Sequence, residues 1–385
     1  DLVLAHARLA GALMYYGDID AAEAPAYRAL ELNPQLAESQ LTYGQFLFAR
    51  GHPNMGEPLA RAVELNPNLP DALSTYAHWR WYNLGHQGVG ELYRRALELD
   101  PLNVSRYGAY GRFLALNDDY EGARSLIERM RTLFDGPEAF RAIAQIYDLI
   151  GDVDHAIAWT IKARDEEPDN LLHIEKLAEY FVDIGDFDTA EELTPDLGVG
   201  QLFKMRRYDE MINQAEDLIF DYPEDTKLKI FLAAAYTTTG EYEQAVRFIT
   251  NARVLDTYGN AFRGSDEYDA YIVLINAAYG SGEVDEAHVL IDWSRETLVY
   301  GENANWWVSV GIACEMAIAG DDAEVYRRLN RALEGKHLAW DPVLKDYPCF
   351  DRFADDPAYT AVVEHFDGLR GMLRNRLATT LAQYG

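Results

Sequence analysis

Residues 137–168 read PEAFRAIAQIYDLIGDVDHAIAWTIKARDEEP. Two helix-length runs flank a turn at Gly151-Asp152, and Pro168 closes the second run. Apolar and small residues stand at Phe140, Ile143, Ala144 and Tyr147, then at Ala156, Thr160 and Ala163. That spacing puts them on one stripe of each of two helices. The same beat recurs. Pro34, Pro67 and Pro101 close the phrases RALELNP, RAVELNP and RALELDP, 33 and 34 residues apart. Proline cannot continue a helix, so each one ends a unit and opens the next. A single helix pair cannot hide its apolar face alone, so the pairs must stack.

Ten such units can be followed, with turn glycines at Gly17, Gly51, Gly151, Gly185, Gly240, Gly282 and Gly320. Asp20 with Glu23, and Asp188 with Glu191, have the spacing of helix starts that satisfy free N–H groups. The beat stumbles at Thr194–Gly200, and the first helix of unit seven is truncated. Insertions fall at residues 257–267 and 300–305. From Lys336 the repeat gives way to a run punctuated by Pro342, Pro348 and Pro357. A last helical stretch follows, with Val362, Val363, Phe366, Leu369, Leu373 and Leu377 as its buried face and Arg370, Arg374 and Arg376 as its solvated one. The expected organisation is residues 1–193 for units one to six, 194–335 for units seven to ten, and 336–385 for the proline-punctuated segment and a capping helix that covers the last unit.

The pattern of aromatic or leucine, small residue, tyrosine, glycine, two alanines and proline resembles the tetratricopeptide repeat, up to about Gly335. The family's tryptophan near the first helix start is replaced by Leu73, Tyr107, Phe140 and Tyr271. The resemblance implies an all-α, right-handed solenoid of helix-turn-helix units. The segment PVLKDYPCFDRFADDPAY is similar to the ends of repeat arrays attached to bacterial adenylate cyclases and membrane-anchored transcription regulators.

Composition narrows the partners. A formal charge of −30 over 385 residues repels nucleic-acid phosphate and anionic lipid, so the expectation is no direct nucleic-acid partner and, for a charged partner, a basic one. Acidic surface also simply keeps a long array soluble. Cys314 and Cys349 are the two cysteines, too few for a disulfide framework, although one bridge is open to them. A reducing, cytoplasmic setting is the expectation, or a periplasmic one if a membrane anchor lies outside this sequence. The chain opens at Asp1 inside a helical pattern, which reads as part of a longer protein.

No nucleophile elbow, phosphate loop, dinucleotide motif or zinc spacing occurs, so no catalytic, cofactor-binding or metal-binding residue is assigned. The phrases GDID, GDVD and GDFD lack the rest of a calcium loop and read as helix caps. In the resembling family the first helix of each unit lines a groove. The corresponding positions here include Gln45, Phe48, His78, Trp81, Arg112, Arg141, Gln145, Asp148, Glu175 and Glu179. That row runs from aromatic through two arginines to acidic, and would suit a peptide with an apolar segment, a carboxylate and a basic segment. The expected function is a protein-interaction scaffold or regulatory sensor region. The rival is a homo-oligomerising structural array, and the third reading is an enzyme with a pocket inside the superhelix.

Overall fold

The computed structural model describes residues 2–251, 265–297, 306–334 and 341–384. Among these residues ten helix pairs follow one another: α1 (Leu2–Tyr15) and α2 (Ile19–Leu32), α3 (Ala37–Ala49) and α4 (Gly56–Leu65), α5 (Pro70–Leu84) and α6 (Val89–Leu99), α7 (Val104–Leu116) and α8 (Tyr120–Leu133), α9 (Pro137–Leu149) and α10 (Val153–Glu166). They continue as α11 (Leu171–Asp183) and α12 (Phe187–Leu193), α13 (Val199–Lys204) and α14 (Tyr208–Asp221), α15 (Thr226–Thr239) and α16 (Tyr242–Asn251), α17 (Ser265–Gly280) and α18 (Val284–Thr297), α19 (Trp306–Ala319) and α20 (Asp322–Glu334). Then come α21 (Asp341–Asp346), a 3₁₀ turn (Pro348–Phe353) and a terminal helix α22 (Pro357–Tyr384). There is no strand among the described residues. The architecture is a tetratricopeptide-type array of paired helices. Of the expected insertions at 257–267 and 300–305, residues 257–264 and 300–305 lie outside the described residues, as do residues 335–340, while residues 265–267 belong to α17.

The chain divides into two compact bodies. The N-terminal body holds residues 2–117 with 128–134, and the C-terminal body holds 118–127, 135–251 and the described residues from 265 onward.

In the N-terminal body the recurring alanines are the contact points. Ala10, Ala22 and Ala26 pack with Phe46, Leu47 and Met55, while Leu41, Leu59, Ala62 and Ala72 form the next layer, and Trp79 serves both. Small residues let the helices approach until larger neighbours fill the groove. The repeated phrase also makes a polar ladder one unit long: Arg61 donates to Gln35 at 2.8 Å, and Arg95 to Asn68 at 2.9 Å.

The helix starts use the residue directly after the turn glycine. Asp18 accepts from the Ala21 amide at 3.1 Å, and Asp186 from that of Thr189 at 3.4 Å. This corrects the expectation for Asp20 and Asp188, which lie inside the first turn. Asp152 departs from both: its side chain caps nothing, and takes Arg124 at 2.5 Å instead.

The C-terminal body differs most from expectation at its tail. The segment 343–353 lies against α13, α17 and α19, all first helices of their pairs. It buries Val343, Leu344, Tyr347, Cys349, Phe350 and Phe353. Cys349 is bonded to Cys314 of α19, and its amide donates to Asn276 of α17 at 3.2 Å. The two cysteines thus form the single bridge that the sequence left open.

Helix α22 covers α20 of the last pair, as a cap should, but it also crosses back to α10 in pair five. Its arginines are not left to solvent alone, although Arg374 is exposed. Arg376 Nε meets Asp154 at 2.7 Å, Arg374 donates to the Gly185 carbonyl at 2.8 Å, and Arg370 to that of Asp183 at 3.1 Å. The correction has a simple cause: Asp154 is fully buried, and a buried carboxylate demands a cation.

A close approach tests the packing of the N-terminal body. A methyl group added at Gly56 would stand 2.1 Å from Trp79 Cζ2, whereas one added at Gly11 meets nothing within 4 Å. Gly56→Ala is expected to destabilise by about 1–3 kcal/mol through overpacking. Gly11→Ala is expected to be neutral or to stabilise by about 0.5–1 kcal/mol through helix propensity. Urea denaturation followed by circular dichroism distinguishes the two.

Candidate functional site

The first helices α3, α5 and α7 carry the candidate residues of the N-terminal body. On α5 the positions 78, 81 and 82 lie three and four apart, so one face carries His78, Trp81 and Tyr82 together. The repeat length brings neighbouring helices into the same register. Phe48 of α3 stands 5.5 Å from the His78 ring, which stands 4.8 Å from Tyr82. Trp81 meets Tyr82 at 5.0 Å and Phe113 of α7 at 5.3 Å. Gln45 donates to Thr75 at 3.4 Å, joining α3 to α5 at the same wall. Phe48, His78 and Trp81 are all half-buried, and Tyr82 is exposed.

Electrostatics fix the character of this wall. Burial, and then the positive charge of Arg112, push His78 down to about 4. The imidazole is therefore neutral at physiological pH, and Arg112 supplies the cation of the cluster. Its charge also acts on Tyr82 and Tyr93. The structure thus brings all five N-terminal candidates onto one wall. The sequence reading missed Phe113 and Tyr93. The signal was available: Phe113 neighbours Arg112 on α7, and Tyr93 faces it from α6 at 5.6 Å between rings.

The candidates of the C-terminal body are placed differently. Arg141 is held by Glu167 at 2.6 Å, and the same carboxylate takes Asn170 at 3.0 Å and His173 at 2.9 Å. Gln145 and Glu175 are exposed. Asp148 and Glu179 join a cluster that periodicity did not reveal. Lys176 lies 2.8 Å from Glu179 and 3.6 Å from Asp148, while Lys204 lies 2.6 Å from Asp183 and 3.3 Å from Glu179. Lys204 belongs to the truncated helix α13, where the repeat pattern gave no register to read.

The carboxyls of this cluster titrate in opposite directions. Burial pushes Asp148 up to about 6, with Lys176 opposing it and the Asp183 and Glu179 charges adding to it. Burial also acts against Glu179, but Lys204 and Lys176 outweigh it and hold that carboxyl at about 2. Glu179 is therefore the ionised anchor of both lysines, and Asp148 is the member that the site accommodates best when neutral.

Three first helices of the C-terminal body are covered in part by the chain itself. The chain's own segment 343–353 lies on α13, α17 and α19. A cavity of about 500 Å³ beside the interruption is walled by Asp196, Leu197 and Leu202, and Arg207 there already bridges Glu191 and Glu210. No described helix is long and apolar enough to cross a membrane.

No family model matches the chain, and no curated protein matches it. Among solved structures it is similar to TTC0263, a thermophilic TPR protein of Thermus thermophilus, at 23% identity and a TM-score of 0.41, over 47% of this chain and 99% of that one. It is similar to yeast Tom70 at 12% identity and a TM-score of 0.45, over 94% and 92%. A monomeric IFIT1 mutant solved with Gppp-AAAA is similar at 14% identity and a TM-score of 0.47, over 94% and 80%.

The charged cluster makes a prediction with a sign. Asp148 has a folded-state pKa near 6, above its ordinary value of 3.8, so the folded state binds the extra proton between those values. Stability should therefore rise as pH falls from 7 toward 5. Asp148→Asn is expected to raise the unfolding midpoint at pH 8 and to erase that rise, with variant and wild type converging near pH 4. Glu179→Gln is expected to lower the midpoint at pH 8, because it strips both lysines of their shared partner. Thermal denaturation across pH 4–8 reads both.

Proposed function

We propose that this chain is a protein-interaction scaffold, and that the first-helix wall of its N-terminal body is where a partner peptide docks. The reading rests on one observation: rings from three successive first helices adjoin one another, half-exposed at Phe48, His78 and Trp81 and backed by the buried Phe113, with the charge of Arg112 acting on His78. Aromatic residues with two side-chain rotors lose little entropy on binding and offer large contact areas, and such residues dominate binding energetics at interfaces. An arginine among rings selects a carboxylate with directed hydrogen bonds.

The partner that fits is a peptide with an apolar or aromatic segment beside an acidic residue. Trp81 and Phe48 supply the apolar contact, His78 contributes a neutral ring, Gln45 borders the wall, and Arg112 meets the carboxylate. The charged row of the C-terminal body is not called upon. Its Arg141 is engaged by Glu167, and its Asp148 and Glu179 hold lysines of the same body. A basic partner segment would have to displace Lys176 or Lys204 to reach them.

The test is a synthetic peptide array carrying apolar segments flanked by aspartate, asparagine or lysine, with affinities of the best binders measured by fluorescence anisotropy. Trp81→Ala is expected to weaken binding about 30-fold, the effect of losing a hot spot of about 2 kcal/mol. Arg112→Glu should abolish the preference for aspartate over asparagine. Because His78 stays neutral above pH 5, affinity should be level between pH 6 and 8. Unchanged binding in both variants would place the site elsewhere and end this reading.

A further inference from the structure

Helix α22 is built in two unlike halves. The first half is anchored by apolar burial: Tyr359, Val362 and Phe366 are buried, Tyr359 donates to the Leu344 carbonyl at 2.5 Å, and its ring stacks on Phe350 at 5.4 Å. The second half buries one large apolar side chain, Leu373. It is held by polar contacts. Arg376 and Thr380 both reach Asp154, Arg370 and Arg374 bond backbone carbonyls at the end of α11, and the Tyr384 hydroxyl meets His155 Nδ1 at 2.9 Å. The Tyr384 ring lies 5.3 Å from that of Trp159.

Between the halves stand Gly368 and Gly371. A methyl group added at either meets nothing within 4 Å, so neither glycine is required by packing. Each makes helix formation about fivefold less favourable than alanine would. Two weak helix formers therefore stand inside the continuous helix α22, at the junction of an apolar anchor and a polar one.

The charges agree with this division. Residues 368–385 carry three arginines and no acidic residue, in a chain of net charge −30. The surface under them is acidic and aromatic: Asp152, Asp154, His155 and Trp159, all on or beside α10.

We propose that residues 369–384 form a hinged arm that swings about Gly368 and Gly371, and that the α10 surface it uncovers is a docking site for an arginine-bearing amphipathic helix. The arm itself defines the ligand. It needs arginines spaced as at 370, 374 and 376, a leucine as at 373, a hydroxyl as at 380 and an aromatic ring as at 384. Asp154 selects the arginine at the 376 position, because Arg376 and Thr380 together satisfy a carboxylate that has no access to water.

Hydrogen exchange on the full chain tests the hinge, and a labelled peptide of residues 369–384 tests the site. In the wild type, amides of the arm should exchange at least tenfold faster than those of residues 359–367. The double variant Gly368→Ala with Gly371→Ala should slow arm exchange about 25-fold, the product of two fivefold effects, and leave residues 359–367 unmoved. Arg376→Gln should free the arm and let the peptide bind, whereas the wild type, with its site filled in cis, should bind it at least tenfold more weakly. Should Arg376→Gln unfold the C-terminal body, Leu373→Ala serves the same purpose with the carboxylate still paired. Equal exchange along all of α22, unaltered by the alanines, would overturn the hinge. A freed arm with no peptide binding would overturn the docking site. A dimer formed by the Arg376→Gln chain with wild type, disrupted by excess peptide, would support the site and identify a second copy's arm as an occupant.

Discussion

Asp154 is a carboxylate with no exposure to solvent, and the second body is organised around what that requires. Burial drives its pKa up, yet the hydrogen bonds from Arg376 and Thr380 and the charge of Arg376 outweigh burial and hold the carboxyl below its ordinary value. Removing the partner of such a group costs several kcal/mol, since the remaining charge can neither ionise comfortably nor reach water. The two partners lie 222 and 226 residues further along the chain. One buried aspartate in pair five therefore obliges the end of the chain to return to it.

The same edge is used in pair after pair. The turn inside pair four is bonded through Asp118 to Arg331 at 2.6 Å, and the helix start after the turn of pair five through Asp154 to Arg376. The turn of pair six is bonded through Gly185 to Arg374, and that of pair seven through Arg206 to Asp346. Two of these turns break the glycine rule. Asp118 and Arg206 have φ of 63° and 60°, the left-handed conformation that other pairs give to glycine. A side chain there costs about 1–2 kcal/mol of backbone strain. In both cases that side chain makes an ion pair with the C-terminal part of the chain, which glycine could not do. The strain is accepted where the turn must hold something.

This also explains what the sequence could and could not disclose. Helix pairs, their order and their small-residue contacts were legible because every unit poses the same packing problem and solves it with the same residues at the same spacing. The turn glycines were legible for the same reason. Contacts outside that period were not. The return of α22 to α10, the seating of residues 343–353 on α13, α17 and α19, and the bond between Cys314 and Cys349 each occur once, so no repetition marks them. Lys204 was hidden because α13 is six residues long, too short to carry a pattern. The arginines of α22 were misassigned to water for a related reason. Amphipathic spacing separates apolar from polar, but it does not separate a solvated arginine from one that answers a buried carboxylate.

The first-helix face meets two fates, and the difference between them bears on function. In pairs seven, nine and ten it is covered by the chain itself. Six buried side chains, at about 1.5–3 kcal/mol each before ordering costs, make that cover part of the core and not a displaceable ligand. In the N-terminal body the same face is left half-exposed, and it is there that the aromatic residues gather. An array that needed rings only for packing would bury them between helices, as it does with Tyr93 and Tyr107. Phe48, His78, Trp81 and Tyr82 are instead in tilted and T-shaped ring contact with one another while half-buried or exposed. For the partner proposed above, ring contacts already made in the free chain would lower the entropic cost of association.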